Sequence, residues 1–380
     1  MIETKLPKVG TTIFSVMSQL ALQHKAVNLG QGFPDFDPPQ GLRDALTQAM
    51  NAGRNQYAPM HGTAALREQI VIKTQHLYGR KLDVDTEITV TSGATEAIFA
   101  AIAAIVRVGE EVIVFDPAYD CYEPAIELQG AHAVHIPLTV PAFSIDWQRV
   151  RDAVSPKTRM ILINSPHNPS GAVLSASDLE ELAAIVRNTD IVVLSDEVYE
   201  HIVYDGARHE SVLRHPELAA RSVVVSSFGK TYHCTGWKVG YAVAPAALSA
   251  EFRKVHQYLT FCTFHPAQVA FAEFLASDPA HYLELPAFYQ PKRDRFRALL
   301  APSRFKLLDV AGGFFQLVDY SAIRDEDDLT FSRWLVEQGG VAAIPLTPFY
   351  AKAPGTRLLR LCFAKSDATM EAAAERLCQL

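Results

Sequence analysis

Seven short apolar runs, rich in valine and isoleucine, recur between about Leu42 and Ala276, with helix-patterned segments between most of them. They are EITVT (87–91), EVIVF (111–115), AVHIPL (133–138), MILIN (160–164), IVVLS (191–195), SVVVS (222–226) and VGYAVA (239–244). TEAIFAAIAAIV, YEPAIELQ and ASDLEELAAIVRN are the clearest helical stretches. Runs without a polar face must be covered on both sides, and alternation with helices is the pattern of a mostly parallel sheet. The chain is therefore expected to be α/β, with a large domain over residues 41–279. After about Pro279 a charged helical segment, YQPKRDRFRALL, leads into short strands and helices. Residues 280–380, joined by the Gly- and Pro-rich arm 1–40, predict a smaller α+β domain.

Composition narrows the function classes. Of 380 residues, 49% are hydrophobic and 20% charged, enough apolar material for a large core. Lys and Arg total 35 against 42 Asp and Glu, a formal charge of −7, which argues against a nucleic-acid or anionic-membrane surface. No stretch is long and apolar enough for a transmembrane helix, and MIETKLPKVG has no signal-peptide core. Five widely spaced cysteines, with no C-x-x-C pair, disfavour disulfide and zinc frameworks and fit a reducing cytoplasm.

In open α/β sheets, ligands bind beyond the carboxyl ends of the strands. Five of the predicted strand ends carry chemistry. Ser92-Gly93-Ala94-Thr95 opens a helix, and such N-termini receive phosphates. Tyr119, Asn168, the pair Asp196 and Tyr199, and Ser227 with Lys230 follow four further runs. Each alone has an ordinary structural explanation: a cap, a turn asparagine, rim aromatics, a surface lysine. Their convergence on one sheet edge is the signal. Other motifs fail. Gly229-Lys230-Thr231 would need a glycine at 224 to end a phosphate-binding P-loop, and Val224 stands there. Ser227-x-x-Lys230 lacks the partner motifs of penicillin-binding enzymes. His132 and His135 fall on opposite faces of a strand, and His209-Glu210 lacks a second histidine, so no metal site is expected.

The set resembles the fold-type I, pyridoxal-phosphate-dependent class I aminotransferases, over nearly the whole chain. SSFGKTYHCTGWKVGY is similar to their cofactor-lysine segment, NSPHNPSG to their Asn-Pro loop and SDEVYE to their Asp–Tyr segment; NQYAPMHG and RLLRLCFAK also match. VNLGQGFPDF and DPAYDCYEP resemble the kynurenine and glutamine transaminase subgroup. The resemblance implies that Lys230 binds pyridoxal 5′-phosphate as a Schiff base and later moves the substrate proton. It implies Asp196 at the pyridine nitrogen, Tyr199 and Asn168 at the phenolic oxygen, and Tyr119 on the ring face. The phosphate falls to Gly93, Ala94, Thr95, Ser227 and Lys238, with Tyr57 contributed across a homodimer interface. Arg360, helped by Asn168 and Gly32, would take the substrate carboxylate.

Phe14, Phe33, Tyr57, Tyr119 and Phe261 are candidate pocket walls, and no motif holds a second arginine for an acidic side chain. Some members of the subgroup have Phe-His where this chain has Phe261-Cys262. Large neutral donors, methionine first, then aromatic amino acids, kynurenine or glutamine, are expected to exchange their amino group with a 2-oxo acid by ping-pong kinetics. A C–S β-lyase would use the same cofactor groups. A non-catalytic ligand sensor would carry an added DNA-binding domain, which this acidic chain does not display.

Overall fold

The computed structural model describes residues 3–380. All seven apolar runs are strands of one sheet. Their spatial order is Ile88–Thr91, Gly240–Val243, Ser222–Ser227, Val192–Asp196, Thr158–Asn164, Glu111–Asp116 and His132–Pro137. The neighbouring pairs from Ser222–Ser227 through His132–Pro137 are parallel, while Gly240–Val243 runs antiparallel to both its neighbours. The reason is the connection. A parallel return needs a full crossover. Residues 228–239 form only one helical turn, Phe228–Thr231, and a 3₁₀ turn, Thr235–Trp237. That tight connector carries both Lys230 and Lys238.

The helix Ala94–Ile105 covers one sheet face with Ala97, Ala100, Ala101 and Ala104, small residues that let it lie close to the strands. Ala176–Val186, Ala64–Tyr78 and His265–Ser277 pack into the core on the other face. A second sheet, of Ile344–Pro345, Leu358–Cys362, Phe315–Asp319 and Lys306–Leu307, is antiparallel throughout. Its core is aromatic, with Phe314, Phe315, Tyr320 and Phe331 all buried. Tyr199 and Ile202, just past the strand Val192–Asp196, belong to this second core. The N-terminal arm joins it too, as Val27–Asn28 pairs with Val341–Ala342.

One helix is longer than its charged sequence predicts. It spans Ala280–Leu300 and contains Pro286 and Pro291. Each proline removes a helical hydrogen bond. Burial of Tyr282, Leu285, Tyr289, Arg293, Phe296 and Leu300, at helical spacing, offsets the loss. No helix among the described residues is long and apolar enough to cross a membrane.

Candidate active site

The strand ends enclose a cavity of about 130 Å³. One part of its wall is built to receive an anion. Gly93, Ala94 and Thr95 open the helix Ala94–Ile105, and Ser227 and Lys238 stand against them. The first N–H groups of a helix have no partner within it, and its dipole favours negative charge. Two glycines make the close approach possible. Gly93 sits at φ +81, and a Cβ there would come within 3.2 Å of Lys238 Nζ. A Cβ on Gly240 would lie 2.7 Å from Ser226 O and 3.1 Å from Ala94 N. Lys238 itself adopts a left-handed backbone at φ 54.

Elsewhere in the cavity stand Asp196, Tyr199, Asn168, Tyr119 and Lys230. Asp196 is 4% exposed. Its Oδ2 accepts from the Tyr122 hydroxyl at 2.6 Å and its Oδ1 from the Val198 N–H at 3.2 Å. Burial pushes its carboxyl up to about 6, against the pull of those two donors. Burial also brings the Lys230 ammonium down to about 8, with Arg360 and Lys238 acting the same way and Cys362 and Asp196 opposing. Lys230 donates to Gly32 O at 2.9 Å and lies 5.6 Å from the ring centroids of Tyr199 and Phe314. Burial raises the Tyr119 and Tyr199 phenols, so both remain protonated donors.

Arg360, on the strand Leu358–Cys362, is 1% exposed. Its Nη1 donates to Asn168 Oδ1 at 2.8 Å and its Nη2 to Gly30 O at 2.7 Å. Its guanidinium stacks 4.0 Å from the Phe315 ring centroid and 5.1 Å from that of Phe14. Arg360 Nε is buried with no partner among the described residues. An orphaned charged donor of this kind is costly unless a ligand meets it.

Ten of the residues expected from sequence therefore line one cavity: Gly93, Ala94, Thr95, Tyr119, Asn168, Asp196, Tyr199, Ser227, Lys230 and Lys238. Gly32 and Arg360 adjoin it through Lys230 and Asn168. Tyr57 and Phe261 do not line it. They meet each other edge to face at 5.1 Å and are 80% and 48% exposed. Phe33 is half-exposed, its ring 5.0 Å from Lys365 Nζ. Sequence reasoning passed over three groups. Tyr122 holds Asp196, Gly30 supplies the carbonyl on Arg360, and Asn164 accepts from the Asn168 N–H at 2.9 Å. Asn164 ends a predicted strand, which was the one available cue; Tyr122 and Gly30 gave none beyond proximity to named segments. A separate cavity of about 540 Å³ shares only Asn164 with this one; its charged lining residues are Asp178, Lys306 and Asp309, and neither Lys230 nor Asp196 reaches it.

Residues 24–377 match the aminotransferase class I and II family, and the chain belongs to that family. Its architecture is that of the fold-type I aminotransferases. The chain is 54% identical over 378 residues to the methionine aminotransferase of Escherichia coli K12, covering 100% of this chain and 98% of that protein. A crystal structure of an Escherichia coli protein, identified through its reactivity as a methionine aminotransferase, matches the whole chain with a TM-score of 0.98 and 54% identity. A probable N-succinyldiaminopimelate aminotransferase of Mycobacterium tuberculosis is 41% identical over 386 residues, covering 98% of this chain and 97% of its own. Kynurenine–oxoglutarate transaminase 1 of Mus musculus is 33% identical over 395 residues, covering 95% and 93%.

Proposed function

We propose that this aminotransferase moves the amino group of a large neutral amino acid, methionine foremost, to a 2-oxo acid, with pyridoxal 5′-phosphate as its cofactor. The observation that carries the reading is the cavity itself, where a lowered amine and a raised carboxylate share one space with an anion cradle. The donor set fits the cofactor. The helix N-terminus, the Ser227 hydroxyl and Lys238 suit a phosphate. A buried carboxylate that its surroundings leave short of a cation suits a pyridinium nitrogen. Tyr199 and Asn168 suit the phenolic oxygen, and Tyr119 the ring face.

When bound, the cofactor supplies a sink for the electrons released as the substrate Cα–H bond breaks. Asp196 would pair with the pyridine nitrogen and keep it protonated. Lys230, with a pKa near 8, reaches its neutral form at mildly alkaline pH and so serves as nucleophile, then takes and returns the proton at Cα. Arg360, turned by Asn168 through Nη1 and left with an unpartnered Nε, offers its guanidinium to the substrate carboxylate. Because both substrates carry that carboxylate, one arginine serves both half-reactions. Phe14, beside Arg360, gives the adjoining wall an aromatic character that favours apolar side chains over acidic ones.

The same reading includes a homodimer. Tyr57, Tyr258, Phe261 and Phe264 are large exposed apolar side chains, Tyr57 packed against Phe261, and exposed apolar groups of this kind mark interfaces. Tyr57 and Phe261 would then complete the site of the partner subunit. It also includes the division into a large part, 41–279, and a smaller part made of 1–40 and 280–380, and a cytoplasmic location, with which five free cysteines agree. The test is a donor panel against one fixed 2-oxo acid. Methionine and phenylalanine should give kcat/KM values far above aspartate and glutamate, with parallel double-reciprocal lines. Aspartate ranking first would refute the neutral-donor reading.

A further inference from the structure

We propose that Tyr122 is a positioning residue that keeps Asp196 ionised and correctly turned for the cofactor's pyridine nitrogen, an inference that rests on reading the cavity as a pyridoxal-phosphate site. Tyr122 begins the helix Tyr122–Glu127 and is 3% exposed. Its hydroxyl is the only side-chain group among the described residues that hydrogen-bonds the Asp196 carboxylate, at 2.6 Å on Oδ2, the other donor there being the Val198 N–H. Its ring meets that of Tyr119 at 5.8 Å and 68°. One short segment therefore supplies both the aromatic expected on the cofactor face and the donor that secures the carboxylate behind the ring nitrogen.

The physical need for such a donor is clear from the surroundings. Burial favours the neutral acid, and a neutral acid cannot hold a pyridinium proton. Glu197, next in the chain, also favours protonation of Asp196, while Lys230 opposes it. Tyr119, Cys121 and Tyr199 face the same region with burial-raised pKa values, so they stay neutral and add no negative charge beside Asp196. Lys238 lines the same cavity at the anion cradle. Of the groups that favour the carboxylate, the Tyr122 hydroxyl acts most strongly, followed by the Val198 N–H. Tyr122→Phe keeps the ring and its packing and removes that donor alone.

The test is calorimetric titration of apoprotein with pyridoxamine 5′-phosphate, which cannot link covalently to Lys230, across about pH 5.5 to 8.5. Wild-type affinity should fall as Asp196 is protonated near pH 6. In Tyr122→Phe the fall should begin about one pH unit higher, giving about twofold weaker binding near pH 7, a gap that widens towards about tenfold near pH 5.5 and closes at alkaline pH. The ligand phosphate and Lys230 titrate in both proteins, so they do not account for the difference. Equal affinity at every pH, or a uniform loss with an unchanged profile, would overturn the proposal. If the phenylalanine variant does not fold, 3-fluorotyrosine placed at position 122 provides a stronger donor and should move the fall to lower pH; an unmoved fall would overturn it equally. A wild-type apoprotein that fails to bind at all would instead remove the cofactor reading beneath it.

Discussion

The Lys230 ammonium donates to the carbonyl oxygen of Gly32 at 2.9 Å, across 198 residues of sequence. The contact joins the connector after the strand Ser222–Ser227 to the N-terminal arm. Arg360 grips the same arm through Gly30 O. The amine and the guanidinium are thus held by one short stretch of backbone; Lys230 lines the cavity, and Arg360 meets its wall at Asn168.

The amine's surroundings set its titration. Lys230 lies about 8 rather than at the usual 10.5, because burial disfavours its charged form. In the apoprotein, modification of Lys230 by an amine-specific reagent should rise through a midpoint near pH 8. Peptide mapping at each pH reads this directly. A midpoint near 10.5 would contradict the account.

Asp196 makes the opposite kind of prediction, about stability. Its folded-state pKa, about 6, lies above its ordinary 3.8. The folded state therefore holds a proton that the unfolded chain has lost between those values. The stabilising contribution is complete below pH 3.8 and gone once pH has risen through 6, leaving a buried charge. Asp196→Asn apoprotein should be more stable than wild type at pH 7.5 by about 1–3 kcal/mol, since a shift of roughly two units corresponds to about 3 kcal/mol. Near pH 3.5 the difference should vanish. Urea unfolding at the two pH values measures it, alongside a loss of most turnover in the cofactor-loaded variant. A less stable variant at pH 7.5 would show that Asp196 is satisfied without a cofactor.

Arg360→Lys keeps the charge and loses the planar fork. The KM for both amino acid and 2-oxo acid should rise, by a factor corresponding to about 1.5–3 kcal/mol for a charged hydrogen bond. Steady-state kinetics with each substrate varied in turn would show it. An effect confined to one substrate would mean the carboxylates bind elsewhere.

Hybrid dimers test the shared site. Lys230→Ala subunits lack the amine, while Tyr57→Ala subunits would impair only their neighbour's site. Co-refolding the two should regenerate one intact site per hybrid, roughly a quarter of wild-type activity from random pairing. Activity no greater than that of the separate variants would place Tyr57 outside the partner's site.

The seven runs were legible because strands buried on both faces admit almost nothing but apolar residues. The strand-end groups were legible because such ends collect ligand-binding residues. What escaped depended on tertiary direction. Tyr122 reads as an ordinary helix-start aromatic until its hydroxyl is seen on Asp196, 74 residues away in sequence. Gly240–Val243 reads as one more parallel strand, and only the missing crossover helix turns it round. Gly30 and Gly32 both offer carbonyls, and which one meets Arg360 depends on how the arm lies across the strand Leu358–Cys362.

The central claim, that Lys230 is the cofactor-bearing amine, is tested most directly by borohydride reduction of protein loaded with pyridoxal 5′-phosphate, followed by tryptic mapping. The account predicts a yellow protein and a stable phosphopyridoxyl adduct on the peptide containing Lys230. Adduct found on Lys238 or another lysine, with Lys230 unmodified, would contradict it.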